Sequence, residues 1–257
     1  MKKYIIWKNN PSLIAGTTLK VNSEPEQFNM ALHSCEDSET IINNRRLFAS
    51  DMNIELNQCV FTQQTHSDHV VSVSECDAGK GTLTYESGFA DSDALYTRSN
   101  NVMLGVFHAD CVPLLMFDPF TGIVCAIHAG WQGTVKEITA KTIQHLIDHE
   151  HVLAKNLLVY IGPAICQNNF EVGADVIAKV QGMSFDTTPF IYYKPETEKA
   201  HVDNKGLNLQ QCLNLGVPLN NITVDKNCTF ANQENFFSYR KDTKCGRHMS
   251  FIMKKGE

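Results

Sequence analysis

The sequence predicts one domain of mixed α/β (α+β) class, with mixed β-sheets and helices on their outer faces. Three observations carry that expectation. Strand-like and helix-like segments interleave irregularly rather than in a strict strand–helix repeat. Residues 1–257 contain no internal repeat, low-complexity tract or composition shift that would mark a linker, so the chain reads as a single domain. Hydrophobic residues make up 43% and charged residues 19%, a globular balance able to bury a full core without disulfides.

Residues 39–51 (ETIINNRRLFASD) place Ile41, Ile42, Leu47 and Phe48 as in an amphipathic helix that also carries Arg45 and Arg46. Cys59 to Thr62 is a short strand running into Gln-Gln-Thr-His-Ser-Asp-His, and Val70 to Val73 is the next. Val102 to Val106 and Val112 to Phe117 read as buried strands, with His108, Ala109, Asp110 and Cys111 between them. A turn at Asp118-Pro119 and Thr121-Gly122 leads into a third strand, Ile123 to His128. After Ala-Gly-Trp-Gln-Gly-Thr, a helix is predicted from about 134 to 148, with Val135, Ile138, Thr142 and Leu146 on one face. Leu157 to Ile161 is a strand, Val172 to Val180 a helix and Ile222 to Val224 a strand. Phe236 to Asp242 reads as a loop before a final strand at Ser250 to Met253.

The formal net charge of -6 and the lack of a basic cluster predict no nucleic-acid and no membrane-surface partner, leaving a small molecule. The nine cysteines are odd in number and scattered, with no Cys-x-x-Cys pair, so a reduced compartment with free or metal-bound thiols is expected. The start, MKKYIIWKNNPSL, has too short an apolar run for a signal-peptide core or a membrane span. A cytoplasmic protein is expected.

Three segments put a metal-capable side chain where a strand meets a polar or Gly-rich turn: His66, Cys111 and His128. Two imidazoles and a thiolate suit zinc, and three protein ligands leave a fourth position open, the pattern of a catalytic site. Spacings of 45 and 17 residues match no local zinc motif. Cys111 between apolar strands is also consistent with a core thiol, and Cys59 and Cys125, inside strand-like runs, read as core. His69 and His108 compete as ligands, whereas His145, His149 and His151 read as solvated surface. Gly130-Trp131-Gln132-Gly133-Thr134, before a helix, could hold an anion on backbone N–H groups, although no Walker or dinucleotide fingerprint is present. Arg45, Arg240 and Arg247 could bind phosphate or carboxylate bidentately, against the commoner reading of solvated surface.

QTHSDHVV, ADSDALYT, HADCVPLLMFDP, AIHAGWQGT, IGPAICQNNFEVG and FFSYRKD with the later Gly-Arg occur in this order. Together they resemble the YfiH-like family, also described as laccase-domain proteins, purine nucleoside phosphorylases or peptidoglycan editing factors. The likeness extends from about residue 28 to residue 252 and is most specific in the Ala-Asp-Cys-Val-Pro and His-Ala-Gly-Trp blocks. It implies an α/β sandwich of mixed sheets flanked by helices, with His66, Cys111 and His128 as metal ligands and Arg45 facing the substrate. Gln64, Gly130 and Arg240 join Arg45 as substrate-binding candidates, and Asp110 or Glu171 as proton carrier. The family usually has arginine where this chain has Gln132.

The resemblance also implies phosphorolysis of purine nucleosides, methylthioadenosine among them, and deamination of adenosine. Zinc with three protein ligands brings water to a pKa of about 7, chemistry suited to attack at C6 of adenine. Phosphorolysis needs instead a bound phosphate, for which the Gly-rich turn and Arg45 are candidates. Nucleoside and phosphate are therefore the expected partners, and zinc the expected cofactor, with Cu2+ as the alternative. The usual deaminase signature, H-x-E with P-C-x-x-C, is absent. True multicopper oxidation fits poorly, because the chain has one His-x-His pair, His149-Glu150-His151; a single copper giving polyphenol oxidase activity is a further alternative. Two other classes stand beside these: a Cys–His hydrolase with Cys111 as nucleophile, acting in peptidoglycan precursor editing, and a non-catalytic metal-binding protein.

Overall fold

The computed structural model describes residues 2–194 and 199–256. Strands β1 (Tyr4–Asn9), β2 (Leu13–Thr18), β3 (Cys59–Val60), β4 (Val70–Ser72) and β5 (Ala94–Thr97) occupy the first part of the chain. The middle holds β6 (Met103–His108), β7 (Val112–Phe117), β8 (Val124–Ala129) and β9 (Leu158–Ile161). Then come β10 (Glu171–Val172), β11 (Ile191–Lys194), β12 (Lys199–Val202), β13 (Ile222–Val224) and β14 (His248–Lys254). The helices are α1 (Ser38–Asp51), α2 (Trp131–Val135), α3 (Ile138–Glu150), α4 (Ala174–Gln181) and α5 (Asn204–Asn214).

The strands form a five-stranded sheet, β1-β2-β14-β6-β3, a six-stranded sheet, β13-β9-β7-β8-β5-β4, and a small sheet, β10-β12-β11. Both large sheets mix parallel and antiparallel pairs, as expected. Side-chain alternation assigns their faces. Leu104, Val106 and Ile252 of one sheet meet Leu115, Val124 and Ala126 of the other in a shared core. The opposite face of the six-stranded sheet, with Leu114, Cys125 and Ile127, packs on Ile143 and Leu146 of α3 and Cys212 of α5. Phe48 of α1 covers Met249 and Phe251 on the outer face of the five-stranded sheet. The result is the flanked sandwich. Its central strands, buried on both faces, read as near-continuous apolar runs.

Asp37 caps α1 by accepting from Glu39 and Thr40 N–H, and the helix turns Ile41, Arg45 and Phe48 inward. The helix expected from 134 to 148 is two helices, because Glu137 adopts a left-handed backbone (φ 62°) between α2 and α3. Ile138, Thr142 and Leu146 keep the expected inward face, while Val135 packs instead against the group around α4. All nine thiols are free, and Cys59 and Cys125 are core residues. Among the described residues, no helix is long and apolar enough to cross a membrane.

Candidate metal centre and its cleft

On β8, Val124 and Ala126 face the other sheet, so His128 points between the sheets at the strand's end. Cys111 immediately precedes β7, after Asp110 turns the chain through a left-handed conformation (φ 82°). His66 lies on the loop after β3, itself left-handed (φ 61°). Asp93 holds that loop: its carboxylate accepts from the N–H groups of Thr65 (3.0 Å), His66 (3.1 Å) and Ser67 (2.7 Å). Lys136 donates to the His66 carbonyl at 2.9 Å.

The three side chains converge. His66 Nε2 is 3.7 Å from Cys111 Sγ, and one ligand atom from each residue lies within 4.8 Å of the others. A tetrahedral ion with bonds of about 2.0–2.3 Å sets its ligand atoms about 3.3–3.8 Å apart. The donor set fits zinc, and after small side-chain adjustment so does the spacing.

Asp93 also lies 2.7 Å from Nδ1 of His128. That contact fixes the ring and leaves Nε2 for a metal. Burial alone would raise the Asp93 carboxyl, but the hydrogen bond and charge of His128, with the N–H groups of Ser67 and Thr65, hold it at about 2. Burial likewise opposes the Cys111 thiolate, yet His128's charge and the hydrogen bonds from His128 and His66 bring the thiol down to about 6. Burial lowers His128, while Cys111 and Asp93 carry it up to about 10. Near neutral pH these surroundings thus favour the thiolate form of Cys111.

Gly130 has an ordinary backbone (φ −62°). Its requirement is steric, since a Cβ there would sit 2.1 Å from His66 Cδ2 and 3.2 Å from Cys111 Sγ. Gly130 therefore clears space for the ligands. The anion role expected of this turn has little support, because α2 is a single short helix of five residues.

The trio opens onto a cleft of about 490 Å³ walled by Phe107, Trp131, Phe170 and Tyr239. Arg240 and Arg247 stand at its rim, over the rings of Phe170 and Tyr239 respectively. Gln132 lines it too.

Several sequence-based expectations change here. Arg45, expected to face substrate, is 1% exposed and lies behind the wall, stacked on Phe61 and Phe107. Its guanidinium donates to the carbonyls of Met30, Gly81 and Thr82, which with the aromatic faces satisfy the buried charge. Gln64 lines the cleft, but its amide donates to Phe107 O and accepts from Phe107 N–H, tying the His66 loop to β6. Asp110, a candidate proton carrier, accepts from Thr229 Oγ1 (2.6 Å), Ser238 Oγ (3.0 Å) and Arg240 N–H (2.7 Å). A carboxylate so occupied positions the loop carrying Tyr239 and Arg240. Glu171 lies outside the cleft lining, paired with Lys199 at 2.8 Å. His69 pairs with Asp91 and His108 with Ser250, so neither joins the ligand set.

Sequence reasoning missed Asp93 and His33. Asp93 stands in the Ala-Asp-Ser-Asp segment just before β5, where a carboxylate supporting a histidine ligand could have been sought. His33 lines the cleft against Tyr85 and Phe107; burial first, then Arg247 and neighbouring cations, lowers it to about 4.

A family described as multi-copper polyphenol oxidoreductase laccase matches residues 17–255. The chain is similar to purine nucleoside phosphorylase YlmD of Bacillus subtilis (strain 168), 34% identical over 252 residues, covering 95% of this chain and 90% of that protein. It is also similar to adenosine deaminase RL5 of an unknown prokaryotic organism, 32% identical over 86% of this chain and 84% of that protein. The crystal structure of YlmD from Geobacillus stearothermophilus superposes with a TM-score of 0.93 at 29% identity, covering 99% of this chain and 97% of that one.

Proposed function

The chain belongs to the family described as multi-copper polyphenol oxidoreductase laccase, and on that premise we propose that it is a zinc-dependent purine nucleoside enzyme. It cleaves adenosine, inosine or methylthioadenosine with phosphate and deaminates adenosine. The observation that carries this reading is the open His66, Cys111 and His128 set at the base of an aromatic-walled cleft. Two of the similar proteins bear the names purine nucleoside phosphorylase and adenosine deaminase.

In this reading His66, Cys111 and His128 hold zinc, with copper as the alternative metal. Zinc bound there would supply Lewis acidity, polarising an oxygen or acidifying water near neutral pH. Asp93 holds His128 in the ligating tautomer through Nδ1. The aromatic walls take the flat heterocycle and exclude water from it. Arg240 and Arg247 bring positive charge to the rim, where a phosphate or ribose oxygen would lie.

Oxidation of phenols by several coppers would need a blue-copper site and a trinuclear centre. Among the described residues, the trio is the one group of three or more His, Cys, Asp or Glu whose donor atoms converge.

The depressed Cys111 thiol beside His128 favours a second reading, a Cys–His hydrolase. One paired experiment separates the two. The metal enzyme loses nucleoside turnover on chelation and regains it with zinc, and bound metal shields Cys111 from iodoacetamide. The hydrolase survives chelation and is killed by iodoacetamide.

A further inference from the structure

We infer that His108 reads the substrate, its Nδ1–H donating to an acceptor atom of the base bound in the cleft. The inference rests on the nucleoside reading above. His108 ends β6 on the face turned toward the other sheet and lines the cleft.

The ring is 1% exposed. Its Nε2 lies 2.9 Å from Ser250 Oγ, and Ser250 Oγ lies 2.8 Å from Thr17 Oγ1 across the β2–β14 ladder. Among the described residues, Nδ1 has no partner. The other buried side-chain atoms in that condition belong to Ser34, Thr62, Thr142 and His201, none of which lines this cleft. A buried polar group left unpaired is destabilising. His108 lines the cleft while Nδ1 itself is shielded from solvent as the side chains stand, so a small shift of the wall lets a ligand complete it.

Counting protons gives its polarity. Burial first, then His248, His128 and Arg247, holds His108 well below its ordinary pKa, so the ring carries one N–H. Thr17 and Ser250 offer two hydroxyl protons to the two hydrogen bonds of the chain Thr17–Ser250–His108. If Thr17 donates to Ser250 and Ser250 donates to Nε2, both protons are used and the ring proton sits on Nδ1. The reverse order leaves the Thr17 proton without an acceptor, since among the described residues Ser250 is its partner. His248, 5.5 Å away between ring centroids, cannot take over the role. Its Nδ1 donates to Thr18 O and its Nε2 accepts from Phe237 N–H. A neutral Nδ1–H donor selects an acceptor; adenosine presents such atoms at N1, N3 and N7, and inosine at N3, N7 and O6.

Two measurements test this. The 15N imidazole shifts of His108 in the wild-type protein, assigned by their loss in His108→Phe, are expected to report the Nδ1–H tautomer; an Nε2–H tautomer overturns the inference. The second is the affinity of zinc-loaded protein for adenosine, read as KM, and for its 1-deaza, 3-deaza and 7-deaza analogues, read as competitive inhibition constants. One analogue is expected to bind wild type about tenfold more weakly than adenosine, the loss of one hydrogen bond, and His108→Phe to bind the two alike. Equal discrimination by both proteins overturns the role of His108 while leaving the nucleoside reading intact. Failure of wild type to bind adenosine at all removes the nucleoside reading, and this inference with it.

Discussion

Gly130 lies so close to His66 that a methyl group on its Cα would come within 2.6 Å of Nε2, the atom that faces Cys111. The backbone at Gly130 is one that any residue adopts (φ −62°, ψ 163°), so the constraint concerns space alone. Gly130→Ala should therefore fold but displace the His66 ring. Expected is a loss of metal affinity of tenfold or more, as for disturbed ligand support (about 10–100-fold), with unchanged far-UV circular dichroism. Metal content after dialysis against a weak chelator measures it, and full retention would argue against the geometry.

Asp93 joins the same centre from the other side, accepting from His128 Nδ1 and from three consecutive N–H groups of the His66 loop. Asp93→Asn keeps the shape but turns an amide toward donors that need an acceptor. The expected result is metal binding weakened about 10–100-fold and a loss of stability of about 1–3 kcal/mol. Competitive chelator titration and urea denaturation read the two effects separately.

Asp110 distinguishes positioning from proton transfer. Its carboxylate accepts from Thr229, Ser238 and Arg240 N–H, so Asp110→Asn should loosen the loop carrying Tyr239 and Arg240. Nucleoside KM is expected to rise about tenfold, with kcat changed less than threefold or so and the pH profile kept. A general acid would instead lose about 10²–10⁴ in kcat and one limb of the profile.

His248 makes the fold sensitive to acid. Burial lowers it to about 3, against about 6.5 in the unfolded chain. Between those values the unfolded state binds a proton that the folded state refuses. Stability from this residue is whole above pH 6.5 and falls as pH drops toward 3. Urea denaturation from pH 7.5 to 5 should show wild type losing about 1 kcal/mol more per pH unit below 6 than His248→Gln. Parallel curves would remove His248 as the source.

Much of the scaffold was legible because its central strands are buried on both faces and end in recognisable turns. β7, β8 and β13 fall where the apolar runs predict them, and α1 begins one residue early, at Ser38, behind the Asp37 cap. Helix α5 escaped because much of its buried face is polar. Asn208 bonds Thr134 and Thr139, and Gln211 bonds Thr134 O and Ala140 N–H, so apolar periodicity never develops. The convergence of His66, Cys111 and His128 was legible from residue chemistry and the surrounding motifs. The role of Arg45 was not, since arginine is rarely fully buried and its three carbonyl partners come from distant segments.

The most direct test of the central claim is mass-spectrometric product analysis of the protein incubated with adenosine and phosphate, before and after metal removal. Zinc-loaded protein is predicted to yield adenine with ribose 1-phosphate, inosine, or both, and metal-free protein neither. Adenosine left intact by the zinc-loaded protein, or consumed equally without metal, would contradict the assignment of His66, Cys111 and His128 as the centre of a nucleoside enzyme.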